Sequence, residues 1–174
     1  MATNFTTVYW DACVFHALLG NEPDRVKGCL QLEKQARNGS LIIYTSAITL
    51  TECVWLKGKE RIAKDHEAAI QKYFQHKFIR LINCDRIIAE HARQLVWQYN
   101  IPARDSIHVA SAISQQVDVM HSYDNADIVK HNGKIGNPAL KIENPPQSDV
   151  VKPESNLENY LSSQNPRPNR KFDF

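Results

Sequence analysis

Four isolated acids, Asp11, Glu52, Asp105 and Asp124, stand in or beside apolar segments of the chain, and together they have the chemistry of a hard-cation site. Singly, each is ordinary. An acid at a strand end or in a first helical turn is usually a solvated charge favoured by the helix dipole. Brought together, four carboxylates raise one another's pKa and cannot all stay ionised without a compensating charge. A divalent cation supplies that charge: Mg2+ takes oxygen ligands in an octahedron at about 2.0–2.1 Å and keeps waters for chemistry. Two such ions about 4 Å apart can activate a water and stabilise the leaving oxygen of a phosphodiester.

The acids converge only if the elements carrying them do. Ala103 to Ile113 (ARDSIHVASAI) reads as a helix apolar nearly all round, started by Ile101-Pro102, with Asp105 at its mouth. Thr6 to Phe15 (TTVYWDACVF) reads as a buried strand ending near Asp11. A helix from Pro23-Asp24 to about Arg37 closes at Asn38-Gly39 and is followed by a strand at Leu41 to Tyr44. Thr45-Ser46 is read as the cap of a helix from Ala47 to about Lys57, with Glu52 in its interior; a solvent-facing glutamate is the ordinary expectation there. Further on come a helix at about Ala63 to His76, a strand at Phe78 to Ile82, and a helix capped by Asp85 running to Tyr99. After the Asp105 helix, Val117 to Tyr123 reads as a strand delivering Asp124, and Leu140 to Ile142 as a last edge strand.

Strands alternating with helices predict an α/β fold, a three-layer α/β/α arrangement with a central parallel sheet of four or five strands. In such a sheet, strand C-terminal ends and the helix N-terminal ends that follow them share one edge, so acids tens of residues apart can meet. The composition changes at Asn144: five of the eight prolines fall after it. Residues 1–143 are therefore read as one domain and 144–174 as an irregular, Pro-rich tail, flexible apart from a short helical turn at Leu157 to Leu161.

With 174 residues the chain can bury a full core. Its 21 basic and 19 acidic residues give +2, so any nucleic-acid role needs a local patch rather than a global field. Candidates are Lys57, Lys59, Arg61 and Lys64, and the end Arg167 to Lys171, although both runs read first as solvated charge. Cys13, Cys29, Cys53 and Cys84 form no C-x-x-C pair and read as free thiols of a reducing compartment. No apolar run suits a membrane span and no leader is evident, which points to a cytoplasmic protein.

Trp10-Asp11-Ala12-Cys13-Val14-Phe15, Leu50-Thr51-Glu52, Ala103 to Ala112 and Ser122-Tyr123-Asp124-Asn125-Ala126-Asp127, in this order, resemble the PIN domain, in particular the VapC-type toxin ribonucleases. The resemblance covers about residues 6–143, and the Asp105 stretch is its most specific part. It implies that Asp11, Glu52, Asp105 and Asp124 form the acidic Mg2+ site (Mn2+ as substitute), with Asp127 as auxiliary acid and Ser122 as the hydroxyl residue two before the fourth acid. It further implies RNA as substrate, a cognate antitoxin and a homodimer. One departure is Asp11-Ala12-Cys13, where the family often has a polar run after its first acid; this removes a helper hydroxyl. A catalytically weak PIN-like module binding RNA or protein is therefore the alternative. A phosphotransfer domain with Asp11 as nucleophile ranks below both, since Cys13 stands where its second Asp would be. His108, three residues after Asp105, reads as a satisfied buried histidine rather than a general base, and Trp10 and Trp55 as packing residues.

Overall fold

Thr6–Trp10 forms the central strand β1, and its alternation decides how the two halves of the core are divided. Val8 and Trp10 point into one apolar cluster and Tyr9 into the other, as the two-residue period of a strand requires. The computed structural model describes residues 5–55, 61–62 and 64–147. In it β1 pairs in parallel with β2 (Leu41–Ser46) and β4 (Val119–His121), which in turn pair with β3 (Ile79–Ile82) and β5 (Ile142–Glu143). The order is β3-β2-β1-β4-β5, so the direction of winding reverses between β1 and β4. In open parallel sheets, ligands bind at such a reversal, outside the strand C-terminal ends.

Helices α1 (Ala12–Leu19), α2 (Val26–Arg37) and α4 (Lys64–Phe74) contribute to the cluster on one face of the sheet. Helices α5 (Arg86–Tyr99) and α6 (Ala103–Ser114) contribute to the other. A single turn, α3 (Thr49–Glu52), follows β2, and a 3-10 turn spans Val129–His131. The expected three-layer α/β/α fold is thus present with five strands. Asp85 caps α5 by accepting the Ile88 N–H at 3.0 Å, as its sequence position predicts.

Several boundaries differ from the sequence reading. The strand expected to end near Asp11 does so, at Trp10, but the residues after it form a helix the reading missed, which Asp11 caps by accepting the Val14 N–H. That helix is buried on most sides (Ala12, Val14, Phe15, Ala17, Leu18 and Leu19), so it carries no amphipathic signal. Among the described residues of the helix expected from Ala47 to Lys57, only Thr49–Glu52 is helical, and pairing with β3 extends β2 to Ser46. β4 is shorter than expected, and the last strand lies at Ile142–Glu143 rather than Leu140 to Ile142. Beyond it, Asn144 donates from Nδ2 to Ser122 O and Asn125 Oδ1, and Pro145 is buried. A Cβ on Gly28 would collide with the Pro146 carbonyl, so the glycine is what lets this segment cross α2. The helical turn expected at Leu157 to Leu161 and the basic end of the tail lie outside the described residues.

His121 is 3% exposed, its Nδ1 lacks a hydrogen-bond partner, and desolvation lowers its pKa to about 4. A histidine kept neutral by the fold contributes stability above its unfolded pKa and loses it as pH falls through about 6.5 towards the folded value. His121→Gln should therefore lose less stability than the wild type between pH 6.5 and 4, the difference reaching roughly 3 kcal/mol. Urea unfolding at the two pH values measures it; parallel losses in both proteins would contradict the assignment.

Candidate active site

A cleft of about 510 Å³ opens at the C-terminal edge of the sheet, and Asp11, Glu52, Asp105 and Asp124 all line it. Each arrives by a different element. Asp11 follows β1 and is 3% exposed, where burial raises its carboxyl pKa; the nearby His108 and hydrogen bonds from Cys13, Ser122 and Val14 pull the other way. Asp105, in the first turn of α6, is also raised, by burial first and the neighbouring Asp124 second. Asp124 lies just beyond β4 in an ordered turn: its N–H donates to Ser122 Oγ at 2.9 Å and its Oδ1 accepts the Asp127 N–H at 2.9 Å.

Carboxylate oxygens of Asp105, Asp124 and Asp127 lie within 4.8 Å of one another. Asp11 lines the same cleft without joining that triad. Three hard oxygen donors so close, two of them on carboxyls without an ion pair among the described residues, fit a divalent cation. Among the described residues, Asp127 has an ion pair with Lys130, whereas Asp105 and Asp124 have none within 4 Å.

Glu52 does not face solvent as its residue type led us to expect; its side chain is 10% exposed. One oxygen, Oε2, lies 2.8 Å from His108 Nε2, and the other, Oε1, lies 3.0 Å from Arg104 Nε. His108 is buried and fully engaged, as expected, with Nδ1 2.7 Å from the Tyr9 hydroxyl. A carboxylate only accepts, so His108 Nε2 carries the hydrogen offered to Glu52, and Tyr9 Oη, which accepts the Ser46 N–H at 3.0 Å, is assigned as the donor to Nδ1. His16 Nε2 donates to the Glu52 carbonyl at 3.0 Å.

At the Asp11-Ala12-Cys13 departure, the third residue turns back onto the acid. Cys13 Sγ donates to Asp11 Oδ1 at 2.8 Å and accepts the Tyr123 N–H at 2.9 Å, so a thiol stands where a hydroxyl was thought missing. Burial and the Asp11 charge push this thiol's pKa up, which keeps it protonated and a donor. Trp10 is fully buried packing, whereas Trp55 lines the cleft with 58% of its surface exposed. Tyr9, Cys13, His16 and Arg104 are site residues that sequence reasoning missed. Only Arg104 and Cys13 carried a signal, as neighbours of a singled-out acid. Lys57 and Lys59 lie outside the described residues.

The profile of the PIN domain matches residues 8–132. The chain belongs to the PIN domain family. This removes the phosphotransfer reading, and the match spans Asp11, Glu52, Asp105 and Asp124 alike. Among solved structures, this PIN domain is similar to VapC20 of Mycobacterium tuberculosis, a Sarcin-Ricin loop cleaving toxin (15% identity, 68% of this chain and 91% of that one, TM-score 0.57). It is also similar to a toxin-antitoxin complex from Klebsiella pneumoniae (19% identity, 81% and 99%, TM-score 0.55). A third is VapBC2 of Rickettsia felis bound to a DNA fragment from their promoter (19% identity, 79% and 98%, TM-score 0.54). At these identities the likeness establishes the fold. A comparison with curated protein sequences finds none that matches. No helix among the described residues is long and apolar enough to cross a membrane.

Proposed function

We propose that this PIN domain is a metal-dependent endoribonuclease that hydrolyses RNA phosphodiester bonds and serves as the toxin of a toxin-antitoxin pair. The observation that carries the reading is the convergence of Asp11, Glu52, Asp105 and Asp124 on one cleft, with Asp105, Asp124 and Asp127 oxygens close enough to share an ion. Asp105 and Asp124 would hold Mg2+, or Mn2+ in its place, with Asp127, Asp11 and Glu52 contributing directly or through water. The ion supplies water activation and neutralises charge at the phosphodiester. Asp11, buried at the edge of the cleft, is placed to take the proton the attacking water loses. Cys13 and the Val14 N–H orient it for that task through Oδ1. Trp55, exposed at the rim, offers an aromatic face to an unpaired base.

The antitoxin belongs to the same proposal and is supported by the complexes among the structural neighbours. An apolar groove of about 460 Å³ between α3 and α4, with Leu50, Val54, Ile70 and Phe74 in its lining, suits the apolar face of a partner helix. A homodimer is proposed on the exposed Ile87 and Trp97 of α5. Co-expression with the neighbouring reading frame, followed by sizing of the purified species, tests both partners; a lone monomer would reject them.

The nuclease is tested on a panel of single-stranded and structured RNAs with Mg2+, with Mn2+ and with EDTA. Cutting that needs the cation is expected. Folded, antitoxin-free protein that binds RNA and never cuts it would establish the weak binding module instead.

A further inference from the structure

Glu52 is gripped by two groups of very different permanence. His108 on Oε2 is 2% exposed and anchored from behind by Tyr9, so it stays. Arg104 on Oε1 is 72% exposed, sits in the first turn of α6 and approaches Glu52 through Nε at 3.0 Å. An ion pair with one partner so exposed is weak and exchanges readily. Among the described residues, Arg104 is also the only permanently charged cation lining the acidic cleft.

We propose that Arg104 is a displaceable counter-ion: it neutralises Glu52 in the metal-free protein, and on cation binding swings from Glu52 Oε1 to hold an RNA phosphate. This rests on the nuclease reading above. The need for such an exchange follows from charge. A polyanion approaching a cleft lined by four carboxylates is repelled until a cation is bound. The same cation, competing for Oε1, frees the one guanidinium at hand. Its planar fork then suits two phosphate oxygens better than a lysine would. Cation and RNA thus assist each other's binding, and the coupling is reciprocal. Arg104 is a positioning residue for the phosphate, with no part in the chemistry at the scissile bond.

The test uses the full chain with wild-type Arg104, Arg104→Ala and Arg104→Lys. Mn2+ binding is measured by calorimetry, and binding of a fluorescent single-stranded RNA by anisotropy in Ca2+ and in EDTA, with the RNA checked for intactness. Removing the competitor should tighten Mn2+ binding of Arg104→Ala by about two- to five-fold, the worth of an exposed pair. The gain in RNA affinity that Ca2+ brings to the wild type should shrink in the same variant, with Arg104→Lys between. If wild type binds Mn2+ and Arg104→Ala binds it no more tightly, the exchange is overturned while the metal site stands. If Arg104→Ala binds Mn2+ more tightly but keeps the full Ca2+-dependent gain in RNA affinity, the phosphate role is overturned. A wild type that binds no Mn2+ removes both this inference and the nuclease reading.

Discussion

Asp105→Asn is expected to lower cation-dependent RNA cleavage by about 10²- to 10³-fold, the scale on which removing one preorganised electrostatic group acts in a catalytic site. The substitution preserves shape and removes a hard anionic donor from the Asp105, Asp124, Asp127 triad, which then holds a divalent cation less well. Its effect on stability should run the other way. Asp105 is raised by burial and by Asp124, so its ionised form is disfavoured in the folded state. A carboxyl raised in this way weakens the fold above its folded pKa, and stability returns as pH falls through that value. At neutral pH without cation, Asp105→Asn should therefore melt no lower than the wild type. Single-turnover cleavage and thermal melts in EDTA measure the two effects. Full activity in the variant, or a large fall in its melting temperature, would mean that Asp105 is a structural acid.

The second large effect is expected at Tyr9, a residue that touches none of the proposed metal ligands. Tyr9→Phe keeps the ring in the core but strands the Ser46 N–H and His108 Nδ1, both buried. Each stranded group costs about 1–3 kcal/mol, so a loss of about 2–4 kcal/mol of stability is expected. Burial holds the Tyr9 hydroxyl well above its ordinary pKa, so in the wild type it remains a donor at any pH the protein tolerates. Without it the proton on His108 is free to sit on either nitrogen, and the N–H aimed at Glu52 is no longer assured. Partners that orient metal ligands from behind typically matter by about 10–100-fold in metal affinity or activity, and a loss in that range is expected here. Urea unfolding reads the first effect; ¹⁵N shifts of the His108 ring, moving from one tautomer towards a mixture, read the second. An unchanged ring spectrum would separate the stability loss from any control of Glu52.

Much of the site was legible in the sequence because each local signal agreed with the fold. Ile101-Pro102 introduces α6 and Asp85 caps α5, as their local signals predict. Those signals place Asp105 at a helix mouth and Asp124 past a strand end, and parallel topology then puts both on one edge. Where the reading failed, the local signal was absent or contradictory. After Asp11, the segment Ala12–Leu19 is buried on most sides, and period does not reveal a short buried helix in it. The helix start there is made by the Asp11 side chain capping the Val14 N–H, and the sequence reading takes that acid only as a strand end.

The sequence by itself determined the α/β class, the parallel sheet, the acids that belong together and the satisfied state of His108, because these follow from period, capping and residue type along the chain. The tertiary structure alone decided what those acids touch. Glu52 and Arg104 are 52 positions apart, Tyr9 and His108 are 99 apart, and Cys13 approaches Ser122 across 109. No propensity acts over such separations. Only the stacking of β1, β2 and α6 around one sheet edge brings a thiol to Asp11, a tyrosine-backed imidazole to Glu52 and an exchangeable guanidinium between Glu52 and the open cleft.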